Sequence, residues 1–456
     1  MNLTSLNKVF LLGIGGIGMS ALARYFILEG KEVWGYDRNY SRITNDLEEE
    51  GAKIIYKDEI ELLKITPDLV IRTPAVPSDS ILLNHFIKSE IVVKKRAEIL
   101  GMITREMNAI GIAGTHGKTS ISTILAHILT YSHKHCNAFL GGISKNYNTN
   151  FLHDPLANLA VVEADEFDRS FHQLVPLISF VSAIDADHLD IYNTGDELAK
   201  AYSIFINKTK PGGAVFIKKG LELELPAHVP TYTYAVDEAA DYFATNLHYD
   251  HGKTYFNLNF QKQRIEELEF SFPGRHNVEN ATGASAIALY LGVTPPQLRN
   301  SLQSFLGIER RFNLVINTSN LVYIDDYAHH PQELRAVIGS TKELFKGKKI
   351  TGIFQPHLYS RTRDFADEFA EALSMLDELW LMDIYPAREK PIEGIDSQWL
   401  IDKVVIKNKK LVKKEDLIGQ ALFKNKNLHV LMTLGAGDVG ELVNSIKKTL
   451  VEVYEL

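Results

Sequence analysis

The sequence predicts an α/β protein built from doubly wound parallel sheets with helices on both faces. Two observations predict this class. Apolar runs typical of buried strands alternate with helical patterns along nearly the whole chain, and several runs end directly in glycine or polar residues. The chain has 456 residues, and at ~150 residues per domain this length predicts about three domains. We place them at residues 1–105, 106–306 and 307–456.

The first predicted domain begins with a strand, a glycine-rich turn and a helix that extends to about Glu29. A second strand follows at once, and two further apolar runs complete the sheet. The four strands are expected at 8–12, 32–36, 68–71 and 91–93. Strands that alternate with helices in this way indicate parallel pairing.

The second and third predicted domains repeat this alternation. Strands of the second domain are expected at 107–112, 159–162 and 178–184. Short alternating strands at 242–247, 254–260 and 267–272 indicate an antiparallel insertion within 214–272, and a helix follows Pro273-Gly274. Strands of the third domain are expected at 321–324, 350–354, 378–382 and 429–434.

The charge balance and the single cysteine limit the classes of protein. Lys plus Arg number 49 and Asp plus Glu number 57, which gives a net charge of −8 and argues against a nucleic-acid partner held on a basic face. Cys136 cannot form an internal disulfide, so we expect a reducing cytoplasm. The apolar run 9–23 lacks the basic start of a signal peptide, and no other apolar run reaches the ~18 residues of a membrane span.

A glycine-rich loop follows the first strand and opens the first helix. Its pattern is Gly13-x-Gly15-x-x-Gly18, and Asp37 closes the second strand. Glycines permit a tight turn, and the partial positive charge of a helix N-terminus suits a diphosphate. The pattern fits a nicotinamide dinucleotide, a nucleotide-sugar diphosphate or a purely structural turn, and alone it does not choose among them.

A second glycine loop, Gly114-Thr115-His116-Gly117-Lys118-Thr119, follows the strand that opens the second domain. Backbone N–H groups of such a loop cradle phosphates, the Lys118 ammonium reaches the terminal phosphates, and the Thr119 hydroxyl suits Mg²⁺. The usual phosphate-loop pattern has its first glycine at the position that Ile112 occupies here. The loop is therefore a shorter variant of that motif.

Acidic residues and a histidine follow the next two strands. Glu163 ends one strand within Glu163-Ala164-Asp165-Glu166-x-Asp168, and His188 follows the other. A carboxylate and an imidazole beside a phosphate loop are suited to a hard metal ion. The alternative for His188 is a hydrogen-bonded structural role.

Further polar motifs lie at a helix start and in the third domain. His276-Asn277-x-x-Asn280 follows Pro273-Gly274-Arg275. Positions 276 and 280 share one helix face, and their polar edges suit an adenine, although capping by Asn277 is an alternative that can hold as well. The third domain carries Arg310-Arg311-Phe312 and the polar segments 325–331 and 355–361, of which the last two follow strands.

With these motifs in this order, the chain resembles the Mur ligase family from Gly13 to the Gly435-Ala436-Gly437-Asp438 loop. The resemblance implies an N-terminal Rossmann-like domain for a UDP-sugar, a central mononucleotide-binding ATPase domain with antiparallel strands, and a C-terminal Rossmann-like α/β domain that brings an amino acid. It implies ATP-dependent ligation of L-alanine to the lactyl carboxylate of UDP-N-acetylmuramate through an acyl phosphate, in peptidoglycan precursor synthesis. ATP and Mg²⁺ are the implied cofactors. The implied protein is a cytoplasmic monomer or homodimer whose partners are these small molecules, with no nucleic acid and no membrane span.

The resemblance also implies roles for residues at matching positions. The catalytic positions are Lys118, Glu163, His188, Arg311, Asp326 and His329. The ATP-binding positions are Gly114, Thr115, His116, Gly117, Lys118, Thr119, Ser120, His276, Asn277, Asn280 and Arg311, and those for the metal are Thr119, Glu163 and His188. The UDP-sugar positions are Gly13, Gly15, Gly16, Gly18, Asp37 and Thr73, and the amino-acid positions are His329 and Arg361.

The chain departs from the family pattern at three places, one of which is Ser203, where some relatives carry a carbamoylated lysine. Leu358 stands where the family usually has arginine, which leaves Arg361 as the main contact for the amino-acid carboxylate. Arg72-Thr73-Pro74-Ala75 replaces the usual paired serines. The alternative functions are a recycling ligase that attaches a preformed peptide to the same UDP-sugar, a nicotinamide-dependent dehydrogenase, and a nucleotide switch without catalysis.

Overall fold

The structure, a computed structural model, describes residues 3–185, 192, 194–250, 253–387, 389–423 and 427–455. Within these residues the strands form three sheets. Contacts divide the chain into two compact units. The first unit comprises Met1–Asn246, Phe256–Glu269 and Glu279–Leu306, and the second comprises Leu247–Tyr255, Phe270–Val278 and Gly307–Leu456.

The first sheet has five parallel strands in the order β3-β2-β1-β4-β5. Its elements in chain order are β1 (Lys8–Leu12), α1 (Ile17–Leu28), β2 (Glu32–Tyr36), α2 (Arg42–Glu49), β3 (Lys53–Ile55), β4 (Leu69–Arg72), α3 (Ile81–Lys88), β5 (Val92–Lys95) and α4 (Arg96–Glu106). The last four residues of β1 are all buried, as in a parallel strand covered on both faces. Because β2 and β4 lie on opposite sides of β1, the loop after β1 lies at a topological switch point, where such sheets bind ligands.

The second sheet has ten strands in the order β15-β14-β13-β12-β11-β10-β6-β9-β7-β8. Its elements in chain order are β6 (Asn108–Ala113), α5 (Lys118–Tyr131), β7 (Cys136–Ser144), β8 (Thr149–Leu152), β9 (Leu159–Glu163), β10 (Ile178–Val181), α6 (Gly195–Asn207), β11 (Ala214–Lys218), β12 (Thr231–Val236), β13 (Tyr242–Asp250), β14 (Lys253–Phe260), β15 (Gln263–Phe270), α7 (Arg275–Tyr290) and α8 (Pro295–Ser304). Strand β6 lies between β10 and β9, and both pair with it in parallel. The second glycine loop therefore also starts from a strand with parallel neighbours on both sides.

Two expectations about the second sheet are wrong in part. The strand predicted at 178–184 ends at Val181. Strands β11, β12 and β13 pair in parallel rather than in an antiparallel insertion. An antiparallel pair that sequence analysis did not predict is β7 with β8, joined by a short turn in which Asn148 has a φ of 53°. A turn this short permits only antiparallel pairing, because parallel strands need a long crossover.

The third sheet has six strands in the order β16-β17-β21-β18-β19-β20. Its elements in chain order are β16 (Asn313–Asn317), β17 (Val322–Asp326), α9 (Pro331–Leu344), β18 (Ile350–Phe354), α10 (Tyr359–Asp364), α11 (Ala366–Leu373), β19 (Glu378–Leu381), α12 (Ser397–Lys403), β20 (Asn408–Leu411), α13 (Lys414–Asp416), β21 (Val430–Leu434) and α14 (Val443–Tyr454). Only β16 with β17 pairs antiparallel in this sheet, within the described residues. The α/β class predicted from the strand and helix alternation is confirmed.

Two expectations from composition concern packing and the membrane. Cys136 is buried, as its apolar neighbours indicate, and burial raises the pKa of its thiol to about 11. Such a thiol stays protonated at neutral pH and packs as a small apolar group.

Among the helices of the described residues, none has both the length and the apolar character needed to span a membrane.

Helix α1 of the first sheet is held against strand β8 of the second sheet by a buried polar network. The Asn150 amide donates to the carbonyl of Ile17 at 2.5 Å and to Ser20 Oγ at 3.0 Å, and its oxygen accepts from the Arg24 guanidinium. Arg24 also pairs with Glu50 at 2.9 Å. Asn150 is fully buried, so water does not reach its amide group. The bonds to Ile17, Ser20 and Arg24 therefore satisfy its donors and its acceptor.

We expect Asn150→Ala to lower the free energy of unfolding by ~1–3 kcal/mol, because the change leaves buried donors and acceptors of α1 without partners. Urea unfolding of the full chain measures this loss. Arg42→Ala is the control, since the Arg42 guanidinium bonds to Asn148 at 2.9 Å on an exposed surface, and it should change stability by no more than ~0.5 kcal/mol. Equal losses in both variants would contradict the role of the buried network.

Candidate active site

The loop between β6 and α5 has a backbone shape that requires glycine at two positions. Gly114 has a φ of +133° and Gly117 a φ of +81°, which side-chain-bearing residues rarely adopt. A Cβ at Gly114 would lie 2.0 Å from Ser182 Oγ, and one at Gly117 would lie 2.5 Å from Asn280 Oδ1. The glycines therefore give this loop both its turn and its close approach to β10 and α7.

The same loop is anchored by bonds to the segment after β10. The N–H of Thr115 donates to the Ala183 carbonyl at 3.0 Å, and Ser182 Oγ donates to the His116 carbonyl. The Thr115 hydroxyl accepts from the N–H of Asp185 at 3.1 Å. These bonds hold the loop in a defined shape with its second half at the N-terminus of α5.

Lys118, the first residue of α5, forms a buried ion pair with Glu166. Its ammonium lies 2.8 and 2.9 Å from the two carboxylate oxygens and donates to the Gly114 carbonyl at 2.8 Å. Burial lowers the pKa of Lys118, but the negative charges of Glu166, Asp165 and Glu163 outweigh it and leave this pKa above its usual value. Lys118 is therefore a fixed positive charge at the mouth of the loop.

Thr119 and Glu163 lie together at the end of β9. The Thr119 hydroxyl donates to the carboxylate of Glu163 at 3.0 and 3.2 Å. A Cβ at Gly141 would lie 1.8 Å from Glu163 Oε2, so this glycine makes room for the carboxylate. A hydroxyl and a carboxylate in contact are oxygen donors of the kind that Mg²⁺ prefers.

His188, the third predicted metal position, lies outside the described residues. Within the described residues there is no group of three or more side chains from His, Cys, Asp and Glu arranged to hold a metal ion. The metal role of Thr119, Glu163 and His188 thus stays a prediction, to which the contact of the first two adds support.

The first glycine loop also closes on its own chain. The N–H groups of Gly13 and Ile14 donate to the Tyr36 carbonyl at 2.8 and 3.1 Å, and the N–H of Gly15 donates to the Asp37 carboxylate at 2.8 Å. Asp37 therefore holds the loop in shape. A Cβ at Gly13 would lie 2.6 Å from the Thr73 side chain, so Thr73 lies beside the loop, and its contact with a UDP-sugar stays a prediction.

Asn280 is the predicted adenine residue that lies beside the second glycine loop, where its amide faces Gly117. His276 belongs to the second unit, and its Nδ1 lies 3.5 Å from Ser340 Oγ. Burial lowers the pKa of His276 to about 4, so its imidazole is neutral. Asn277 is the third residue of α7 and donates from its amide to the Pro273 carbonyl at 2.7 Å, so it does not cap the helix as the alternative interpretation expected.

Arg311 and His329 belong to one cluster in the second unit. The Arg311 guanidinium lies 5.2 Å from the centre of the Tyr327 ring and 3.9 Å from the Glu333 carboxylate. The His329 Nδ1 lies 3.0 Å from the Tyr327 carbonyl and 3.3 Å from Glu333. Burial lowers the pKa of His329 to about 4; the charge of Glu333 acts against this and that of Arg361 adds to it.

Asp326 holds the chain around this cluster. Its buried carboxylate accepts from the N–H of Phe312 at 2.6 Å and from the N–H of Ala328 at 2.8 Å. Burial raises its pKa, although the nearby Arg311 charge and these two bonds favour the ionised form. The predicted catalytic aspartate therefore orders the residues next to Arg311 and Tyr327.

The side chain at the departing position points into the protein. Leu358 is buried, with a φ of +69°, and its carbonyl accepts from the Thr362 hydroxyl at 2.8 Å. It offers no charge to a ligand. Arg361 follows in the first turn of α10, and its charge helps to lower the pKa of His329. Its contact with the amino-acid carboxylate stays a prediction.

Known proteins match this chain over nearly its whole length. The chain matches three family models, described as Mur ligase family, catalytic domain, at residues 8–107, Mur ligase middle domain at 112–288, and Mur ligase, glutamate ligase domain, at 310–437. Proteins named UDP-N-acetylmuramate--L-alanine ligase are 47% identical over 99% of this chain and 100% of that protein in Flavobacterium johnsoniae, and 46% identical over 98% of this chain and 99% of that protein in Porphyromonas gingivalis. The protein belongs to the Mur ligase family.

Solved structures agree with this membership. UDP-N-acetylmuramate-alanine ligase from Thermotoga maritima has a TM-score of 0.83 at 28% identity, covering 98% of this chain and 99% of that chain. A murein peptide ligase from Psychrobacter arcticus has a TM-score of 0.72 at 20% identity, covering 97% and 98%, and shows the shared fold alone. The predicted family is confirmed, while the domain boundaries at 105 and 306 stay a prediction.

Two charged residues of this Mur ligase that the sequence patterns did not single out are Glu333 in the second unit and Arg96 in the first. Glu333 is the third residue of α9, and its carboxylate accepts from the N–H groups of His329 and His330, so a glutamate three positions after the N-cap was the signal. Arg96 starts α4 directly after the edge strand β5, and it lies against Gly18 and 3.7 Å from Asp165. A cation directly after a predicted strand is a candidate ligand-binding residue, and this position could have marked Arg96 in the sequence.

The pH dependence of stability tests the neutral state of His329. Its pKa is about 4 in the folded protein and ~6.5 in an unfolded chain. Between these values the unfolded chain binds a proton that the folded protein does not, so stability from this residue is complete above pH ~6.5 and is lost as the pH falls toward 4.

We expect His329→Gln to reduce the slope of unfolding free energy against pH in this window by up to ~1.4 kcal/mol per pH unit. Urea unfolding at several pH values measures the slope. His133→Asn replaces an exposed histidine and should leave the slope as in wild type. An unchanged slope in His329→Gln would show that His329 is charged in the folded state.

Proposed function

We propose that this Mur ligase joins L-alanine to the lactyl carboxylate of UDP-N-acetylmuramate with the hydrolysis energy of ATP. The observation that carries the proposal is the full-length identity of up to 47% to ligases of that name, over a chain that keeps the Lys118 loop intact. The proposal includes a cytoplasmic location, a monomer or homodimer, and the domain boundaries at 105 and 306.

The reaction needs an activated acid because a carboxylate would have to expel oxide when an amine attacks it. One lactyl oxygen attacks the γ-phosphorus of ATP, the bond to the β-phosphate oxygen breaks, and ADP leaves. The amine of L-alanine then attacks the acyl carbonyl, the bond to phosphate breaks, and inorganic phosphate leaves with the new amide formed. The amine loses its proton to a base in this step.

Residues of the first unit prepare the phosphoryl transfer. Lys118 supplies a positive charge at the glycine loop, where two anionic reactants must meet. Thr119, Glu163 and His188 would hold Mg²⁺. The bound ion would neutralise part of the negative charge of the phosphates. Asn280 at Gly117 is the proposed adenine contact from this unit. The second unit supplies the neutral His276 as the other proposed adenine contact, with Asn277 and Arg311 as further ATP residues.

Residues of the second unit receive the amino acid. Arg361 pairs with its carboxylate, and a forked guanidinium suits that task. His329 is neutral, so its imidazole can accept a hydrogen bond from the amine of L-alanine and orient it for attack. Asp326, through its bonds to two backbone amides, keeps Arg311 and Tyr327 in place.

Phosphate release from ATP with UDP-N-acetylmuramate and a panel of amines tests the proposed function. L-alanine should give the highest kcat/KM, and glycine and L-serine should be accepted less well, because one methylene or hydroxyl is worth only ~1–3 kcal/mol in such a pocket. Faster release with the tripeptide L-Ala-D-Glu-diaminopimelate would identify a recycling ligase instead. No amine-dependent release at all would leave a nucleotide switch.

The charge of Lys118 should be essential for turnover. Replacement of Lys118 alone would leave the buried Glu166 without its cation, so we use Lys118→Met with Glu166→Gln, which removes both charges. We expect phosphate release at least ~100-fold slower, a loss of about 3 kcal/mol of transition-state stabilisation. Glu166→Gln alone keeps the ammonium and should lose less than about 10-fold. Turnover near wild type in a folded double variant would refute the assignment.

A further inference from the structure

Arg96 lies between the first glycine loop and the acidic segment that follows β9. It is the first residue of α4, directly after β5, and its side chain is 22% exposed. One side of its guanidinium faces Gly18 in the first glycine loop. The other side faces Asp165, with 3.7 Å between the nitrogen and the carboxylate oxygen. Asp165 belongs to the acidic segment that supplies Glu163 and Glu166.

Gly18 leaves space for the Arg96 side chain, and its own backbone conformation does not call for glycine. Gly13 has a φ of +80°, whereas Gly18 is not among the residues with positive φ. A Cβ at Gly18 would lie 2.6 Å from Arg96 Nη1, 3.1 Å from Cζ and 3.2 Å from Cδ. The three nearest atoms all belong to Arg96, so the last glycine of the motif gives room to this guanidinium.

The hydrogen bonds of the loop leave a short row of N–H groups for a ligand. The N–H groups of Gly13, Ile14 and Gly15 donate to Tyr36 and Asp37, and that of Gly16 donates to the Gly13 carbonyl at 3.2 Å. The next N–H groups, at positions 17 and 18, belong to the first turn of α1, where a helix offers no internal acceptor. Arg96 lies beside the second of them.

We infer that Arg96 binds the diphosphate of the nucleotide sugar, together with the first-turn N–H groups of α1. The inference rests on the proposed function, which brings a diphosphate to this loop. A helix N-terminus attracts an anion, and a guanidinium donates two parallel bonds to phosphate oxygens. The contact with Asp165 is too long for a hydrogen bond, so a diphosphate replaces it without loss of one.

Calorimetric titration of the full chain with UDP tests the inference. Wild type should bind UDP, Arg96→Gln should bind it about 10- to 100-fold more weakly, and Arg96→Lys should lie between, because an ammonium keeps the charge without the fork. Arg105→Gln removes an exposed arginine of the same helix and should bind as wild type. Thermal unfolding of each variant identifies any that fail to fold.

The outcomes separate this inference from the proposed function. Wild-type affinity in folded Arg96→Gln and Arg96→Lys would overturn the role of Arg96 and leave the proposed function standing. A wild-type protein that binds no UDP would overturn the proposed function and this inference with it.

A double-variant cycle tests the pairing of Gly18 with Arg96 directly. Gly18→Ala should weaken UDP binding by about 10-fold or more in the wild-type background, because the new Cβ displaces the guanidinium. In the Arg96→Ala background the same change should cost nothing further. The same loss in both backgrounds would show that Gly18 serves the ligand or the backbone, and would overturn the inference.

Discussion

The ion pair of Lys118 with Glu166 is the interaction on which the candidate site depends. A lysine ammonium at the start of a helix is unfavourable, because the N-terminal end of the helix is itself partially positive. The fully buried Glu166 compensates for this, and the Gly114 carbonyl takes the remaining donor. The protein thus holds a cation in place at the loop for which we propose phosphate binding.

Glycines in this protein do more than adopt positive φ angles: they also leave space for polar side chains of neighbouring segments. Gly117 makes room for the amide of Asn280, Gly141 for the carboxylate of Glu163 and Gly18 for the guanidinium of Arg96. In each case the neighbour is a polar side chain that faces a predicted ligand loop. The backbone therefore approaches these functional groups more closely than any residue with a Cβ would allow.

The second unit uses carboxylates mainly to order its own chain. Asp326 bonds to the N–H groups of Phe312 and Ala328, and Glu333 accepts from the N–H groups of His329 and His330. Each carboxylate also lies near a cation or imidazole that the proposed reaction uses. Asp326 at the end of β17 and Glu333 in the first turn of α9 thus fix the loop between them by hydrogen bonds to its backbone. A loop fixed to a rigid sheet in this way holds its side chains in defined positions.

The sequence by itself determined the α/β class, most strands, both glycine loops and the family. These features are local: a buried strand, its terminal glycines and the following helix lie within a few residues of one another, and periodicity reports burial. Even so, β7 and β8 were missed, because their pairing depends on a turn and not on a periodic pattern. The tertiary structure alone decided which charges meet. Glu166 is 48 residues from Lys118, so no short spacing links the two. Arg96 follows Lys94 and Lys95 at the end of β5, so the sequence does not show which of these cations meets Asp165. Chain topology brings these groups to the carboxyl ends of parallel strands, where Lys118 and Glu166 lie buried as a pair.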